Sequence, residues 1–198
     1  MGAIVNLVNR SERDLMPTLV LVDLHLNLSH PRQSEPEREE LSAALQACRL
    51  ALAHARHRQM PVAFVRRTPP LTSFLANHAY PPWIRGLEPT RSDMIFERLL
   101  PSCYGSSEFA QMAARSPNLV LAGLFGETAC LSTLVEAHHR NHHFTFLTDA
   151  SCSRGQGGVA PAEMHCSVTN LAALYGRLAT TEEWMQTVSM RSALPGHG

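Results

Sequence analysis

The sequence predicts a three-layer α/β/α fold, a doubly wound and mainly parallel sheet of about six strands. Three observations carry this. The run TLVLVD (18–23) is continuously apolar up to its final acid, as in a strand buried on both faces. Segments with helical periodicity follow such runs in turn along the chain. Strands that alternate with helices pack as a parallel sheet with right-handed crossovers.

The elements follow in order. After the first strand, HLNLSHPRQSEP is polar and carries prolines, so it reads as a loop. Over 37–59, Leu41, Ala44, Leu45, Cys48, Leu52 and Ala55 recur at helical spacing. Glu37, Glu39 and Glu40 crowd the start of that helix, and Arg56, His57 and Arg58 its end, as the helix dipole favours. PVAFV (61–65) is the second strand. A long proline-bearing segment follows, and we expect 68–91 to close as a lid. DMIFER (93–98) is strand three and SSEFAQMAARS a short helix. NLVLAG (118–123) is strand four, followed by a helix from about 128 to 141. FTFLTDA (144–150) is strand five, SRGQGG a glycine loop, and 161–177 the last long helix, with Pro161 in its first turn. LATTEEWMQTV closes the domain as a short strand and a helix capped by Thr181 or Thr180. The expected organisation is an N-terminal extension (1–16), a single domain (17–188) and a C-terminal tail (189–198).

Bulk properties narrow the function. Lys plus Arg and Asp plus Glu are 17 each, so the formal charge is zero. That argues against nucleic acid or an anionic membrane as main partner. No apolar run is long enough to span a bilayer, and the N-terminus does not read as a signal peptide. The five cysteines are odd in number and lack a CxxC. They read as reduced thiols of a cytoplasmic protein rather than as a disulfide framework or zinc cage.

Ligands of doubly wound sheets bind beyond the carboxyl ends of the strands. Asp23, Arg66 with Arg67, Glu97 with Arg98, 123–130 and 149–158 should therefore share one rim. Asp23 is either a general acid or base or a loop-initiating residue that holds backbone amides. Arg98 is either a bidentate grip for a carboxylate or a surface charge. Alternation allows only one of Arg66 and Arg67 to face the site. Cys130 is either a thiol activated by helix amides or a small packed one. The HHRNHH run lies at the far end of its helix, about 15 Å from the rim, so no metal is expected there. Asp23 with His25 is too small a donor set for a metal, and GQGG lacks the pattern of a phosphate cradle.

The segments LVLVDLHLNL, SDMIFERLLPSCYGSSEF, LVLAGLFGETACLSTLVEA and TFLTDASCSR resemble, in order, those of the isochorismatase-like hydrolases. This is the cysteine hydrolase superfamily that includes nicotinamidases. The resemblance implies an Asp after strand one, a Lys after strand three and a Cys after strand four. Asp23 matches the first, Arg98 stands at the Lys, and gap-free register puts Ala129 at the nucleophile with Cys130 one residue later. One residue is about a 100° turn of a helix. A small residue there is similar to the isochorismatases of siderophore and phenazine pathways, which cleave a vinyl ether without a thioester. The implied roles are Asp23 as proton donor, Arg98 and Arg67 as carboxylate partners, and Phe125, Gly126 and Ala129 as pocket wall with backbone amides. Trp83 is an apolar wall of the site or an anchor of its loop. A small-molecule substrate, no cofactor and a homodimer or larger homo-oligomer are also implied. Two alternatives stay open: an amidase using Cys130 after a one-residue shift of the turn, and a silent binding protein.

Overall fold

In the computed structural model, which describes residues 16–25, 34–68, 80–116 and 118–193, six parallel strands form one sheet. They are β1 (Thr18–Val22), β2 (Val62–Arg67), β3 (Met94–Arg98), β4 (Leu119–Gly123), β5 (Phe144–Leu147) and β6 (Arg177–Ala179). The helices are α1 (Glu35–His57), α2 (Ser107–Arg115), α3 (Leu131–His139), α4 (Pro161–Ala172) and α5 (Thr181–Ala193). The expected three-layer architecture is present. Residues 1–15, the part of the expected lid at 69–79 and the tail from 194 lie outside the described residues.

The composition of β1 explains the layers. All five of its residues are buried. Leu19 and Leu21 enter one core with Ala44, Cys48 and Leu52 of α1 and with Trp184 and Val188 of α5. Val20 and Val22 enter a second core with Phe109 of α2, Leu134 of α3 and Ala172 of α4. Alternate side chains thus feed opposite cores, and the one polar residue of the strand, Thr18 at its start, has its hydroxyl 3.3 Å from that of Ser116. Each large aliphatic side chain buried this way contributes about 1.5–3 kcal/mol.

Several boundaries differ from expectation, each for a local reason. Helix α1 starts at Glu35, two residues early, because the Glu37 carboxylate accepts the Ser34 N–H at 2.7 Å and closes the first turn. Helix α4 stops at Ala172, short of 177, because the chain must turn into β6. Gly176 makes that turn where a Cβ would lie 3.1 Å from the Phe144 carbonyl oxygen. Strand β5 ends at Leu147, whose carbonyl accepts the Ala150 N–H in a turn. Thr180 caps α5, its hydroxyl accepting the Glu183 N–H at 3.2 Å while its own N–H reaches the Glu183 carboxylate at 2.8 Å.

The strand order is β3-β2-β1-β4-β5-β6. The chain winds outward from β1 through β2 to β3, then returns to lay β4 on the other flank of β1. The crevice beyond β1 and β4 is the switch point at which such sheets bind ligands. Gly123 makes this junction possible. Its φ is +123°, and a Cβ there would lie 2.3 Å from the Val22 carbonyl oxygen.

Candidate active site

Asp23 is the first residue past β1, at the switch point. Its φ of +53° is unusual for a non-glycine residue and costs about 1–2 kcal/mol. The conformation is held by its neighbours. The Asp23 N–H donates to the Val65 carbonyl at 2.8 Å, and carboxylate Oδ1 accepts the Arg67 N–H at 3.1 Å. Oδ2 accepts a hydrogen bond from Nη2 of Arg98. Arg98 is 2% exposed, and its Nη1 donates to the Leu100 carbonyl at 2.6 Å. The register explains the reach. Arg98 of β3 is level with Arg67 of β2, which adjoins β1.

Burial raises the Asp23 pKa above the ordinary carboxylate value, outweighing the opposing pull of Arg98 and of the Arg67 amide. A carboxyl so placed holds its proton more tightly than one in water, while Arg98 stands ready to stabilise the anion left behind.

The two arginines ending β2 have different surroundings. Arg66 stacks on the Tyr80 ring at 3.6 Å and pairs with Glu97 at 2.6 Å, so its charge is engaged. The Arg67 side chain is exposed and has no hydrogen-bond or ion-pair partner among the described residues. It lies near enough to Asp23 to act on its charge.

Beyond β4 the chain turns through a cis peptide between Leu124 and Phe125 into a wide π-helical turn, Gly126–Cys130. The expected helix from 128 is therefore regular only from Leu131. Phe125 is buried beneath the Arg154 guanidinium, 4.4 Å above its ring. The Gly126 N–H donates to the Cys152 carbonyl at 2.9 Å, so that amide is already committed. Ala129 is 1% exposed. Cys130 is fully buried, its sulfur 3.6 Å from the Gly123 carbonyl and 3.8 Å from the Ser151 hydroxyl. Burial pushes its thiol well above the usual value, with a smaller push from the Asp23 charge. Cys103, in the 3-10 turn after Ser102, is likewise pushed up to about 12 by burial. Helix-end activation does not overcome that enclosure.

The structure thus joins Asp23 to the Arg98 guanidinium and to the backbone amide of Arg67, and sets Phe125, Gly126, Ala129 and Cys130 on the adjoining β4 side. Trp83 is half-buried, edge-on to Phe64 at 5.3 Å, and it fastens its segment to the α1-side core. It also forms a β-bridge with His25. The sequence offers His25 only as half of a donor set too small for a metal. Nε2 of His25 is 3.9 Å from Asp23 Oδ1.

A cavity of about 1150 Å³ lies at the opposite, amino end of the strands, lined by His57, Arg58, His142, Arg177 and Trp184 among others. It contains neither Asp23 nor Arg98. The carboxyl end remains the better candidate because it holds the buried ion pair, the left-handed Asp23 and the strand-order switch.

The family model for the isochorismatase domain matches residues 17–183. Similar solved structures include an isochorismatase from Pseudomonas putida KT2440, 21% identical over 86% of this chain and 91% of that one, with a TM-score of 0.72. A cysteine hydrolase from Pseudomonas syringae pv. phaseolicola 1448A is 20% identical over 89% and 94%, with a TM-score of 0.73. An N-carbamoylsarcosine amidase from Thermoplasma acidophilum is 20% identical over 84% and 96%, with a TM-score of 0.62. At these identities the likeness is one of fold. No curated protein matches the chain in sequence.

Proposed function

This chain belongs to the isochorismatase domain family of hydrolases, and from that premise we propose that it hydrolyses the vinyl ether of a small carboxylated metabolite, isochorismate being the model substrate. The observation that carries the reading is the buried Asp23–Arg98 pair, in which Asp23 has a raised pKa.

The chemistry follows from that pair. Asp23 gives its carboxyl proton to the terminal CH₂ carbon of the enol ether, forming a C–H bond and an oxocarbenium ion at the ether carbon. Arg98 stabilises the carboxylate that remains, through a charge-assisted hydrogen bond in a dry setting. The carboxylate in turn faces the new positive charge. Water adds to the oxocarbenium carbon and returns a proton to Asp23. The hemiketal then breaks its C–O bond to give the ring alcohol and pyruvate. A positioned general acid of this kind contributes about 10²–10⁴-fold in rate. Arg67, exposed and without a side-chain partner among the described residues, suits a substrate carboxylate at the mouth of the site.

An amidase mechanism needs a thiolate, and the enclosure of Cys130 speaks against one. The test is a panel of isochorismate, nicotinamide, N-carbamoylsarcosine and small amides, run on wild type, Asp23→Asn and Cys130→Ser. The reading expects turnover of isochorismate that Asp23→Asn abolishes and Cys130→Ser spares. Turnover of an amide that Cys130→Ser abolishes would replace it with the thiol mechanism, and no turnover of any compound would favour a binding protein.

A further inference from the structure

We propose that His25 is a substrate-binding residue of this site, its imidazole reading one hydrogen-bond donor and one acceptor on the bound molecule. The inference rests on the vinyl-ether reading above and adds to it the residue that recognises the substrate's polar groups.

The geometry is unusual for a structural histidine. His25 is 9% exposed, and both its ring nitrogens are buried with no hydrogen-bond partner among the described residues. Its backbone, by contrast, is anchored. The His25 N–H donates to the Asp23 carbonyl at 3.0 Å, a β-bridge joins it to Trp83, and the Ile84 N–H reaches the Leu24 carbonyl at 3.1 Å. The ring is thus carried on a firm support while neither of its nitrogens has a hydrogen-bond partner among the described residues. Native proteins rarely leave a buried polar atom unpaired, and two on one ring call for a missing partner. Asp23 is not that partner, because 3.9 Å is too long for a hydrogen bond.

The charge state defines what the partner must be. Burial, then the Arg66 and Arg98 charges, lower the His25 pKa, so the ring is neutral at neutral pH. A neutral imidazole offers one N–H and one lone pair. Its complement is a molecule bearing both an O–H or amide N–H and a carbonyl or carboxylate oxygen. Isochorismate is of that class, with a ring hydroxyl and two carboxylates. Because His25 stands beside the proton donor, a ligand held on it is also held against Asp23.

The experiment uses isochorismate as probe and Asp23→Asn as the non-reacting host. Calorimetry compares its binding to Asp23→Asn alone and with His25→Leu or His25→Gln added, and wild-type turnover is measured alongside. The expected result is about a 10- to 100-fold loss of affinity with His25→Leu, the loss of two hydrogen bonds to the ligand. His25→Gln should recover most of it, since an amide again supplies a donor and an acceptor. The melting temperature of His25→Leu should stay level or rise, because the change removes unpaired polar atoms rather than a bond. Equal affinity in His25→Leu and its host overturns the assignment and leaves the vinyl-ether reading standing. A falling melting temperature with unchanged affinity identifies a structural histidine and also overturns it. The absence both of turnover by wild type and of binding to Asp23→Asn overturns the vinyl-ether reading itself, and this assignment falls with it.

Discussion

Replacing Arg98 with methionine removes the cation from a pair whose side chains are 2% and 11% exposed. Removing one partner of a buried pair leaves the other charge uncompensated, at a cost of about 3–5 kcal/mol. In a chain of this size each kcal/mol moves the melting temperature by about 2–4 °C, so the expected drop at pH 7.5 is about 6–20 °C. The drop should depend on pH, with a definite sign. In the variant, Asp23 loses its favourable neighbour, so its folded pKa rises further above the unfolded value of about 3.9. The folded state then binds the proton more tightly than the unfolded state, and stability falls as pH rises between the two values. The deficit against wild type should therefore shrink on acidification toward pH 4 and be fully present above the folded pKa. Asp23→Asn/Arg98→Met should recover most of the loss, because no charge is then stranded. Thermal unfolding followed by circular dichroism from pH 4.5 to 8 reads all of this. A variant as stable as wild type at pH 7.5, or a deficit the same at every pH, would refute the description of a desolvated pair.

Three further outcomes follow from the same geometry. Cys130→Ser should keep isochorismate turnover within about threefold but lose about 1–3 kcal/mol of stability for burying a hydroxyl, and iodoacetamide should not label Cys130 in the folded protein. Mass spectrometry of the peptide from native and unfolded samples checks the labelling. Gly123→Ala should cost at least about 3 kcal/mol, since the new Cβ meets the Val22 carbonyl at 2.3 Å on a backbone with φ of +123°; denaturant unfolding measures it. The kcat/KM for isochorismate should fall as pH rises through the Asp23 pKa, because only the protonated carboxyl donates. A profile rising over that range would mark Asp23 as a base.

Much of this was legible in the sequence because it depends on short-range pattern. The uninterrupted apolar run of β1 signals burial on both faces, and the rule that ligands gather at strand carboxyl ends selects Asp23 and Arg98 without coordinates. Their contact then follows from the register of three adjacent strands. Less legible were features fixed by contacts distant in the chain. His25 takes its position from a bridge to Trp83, which no local period announces. The orientation of Cys130 depends on a π-helical turn, and a regular helix starting at 128 would rotate each side chain differently. The end of α4 is set by where Gly176 meets β5, not by propensity within the helix.

The account's central claim is that Asp23 protonates carbon and that no thiol takes part. Hydrolysis of isochorismate in D₂O tests this most directly, with the released pyruvate examined by proton NMR. Wild type and Cys130→Ser should both release pyruvate carrying one deuteron in its methyl group, and Asp23→Asn should release none. Pyruvate formed at the wild-type rate by Asp23→Asn, or lost on Cys130→Ser alone, would contradict the account.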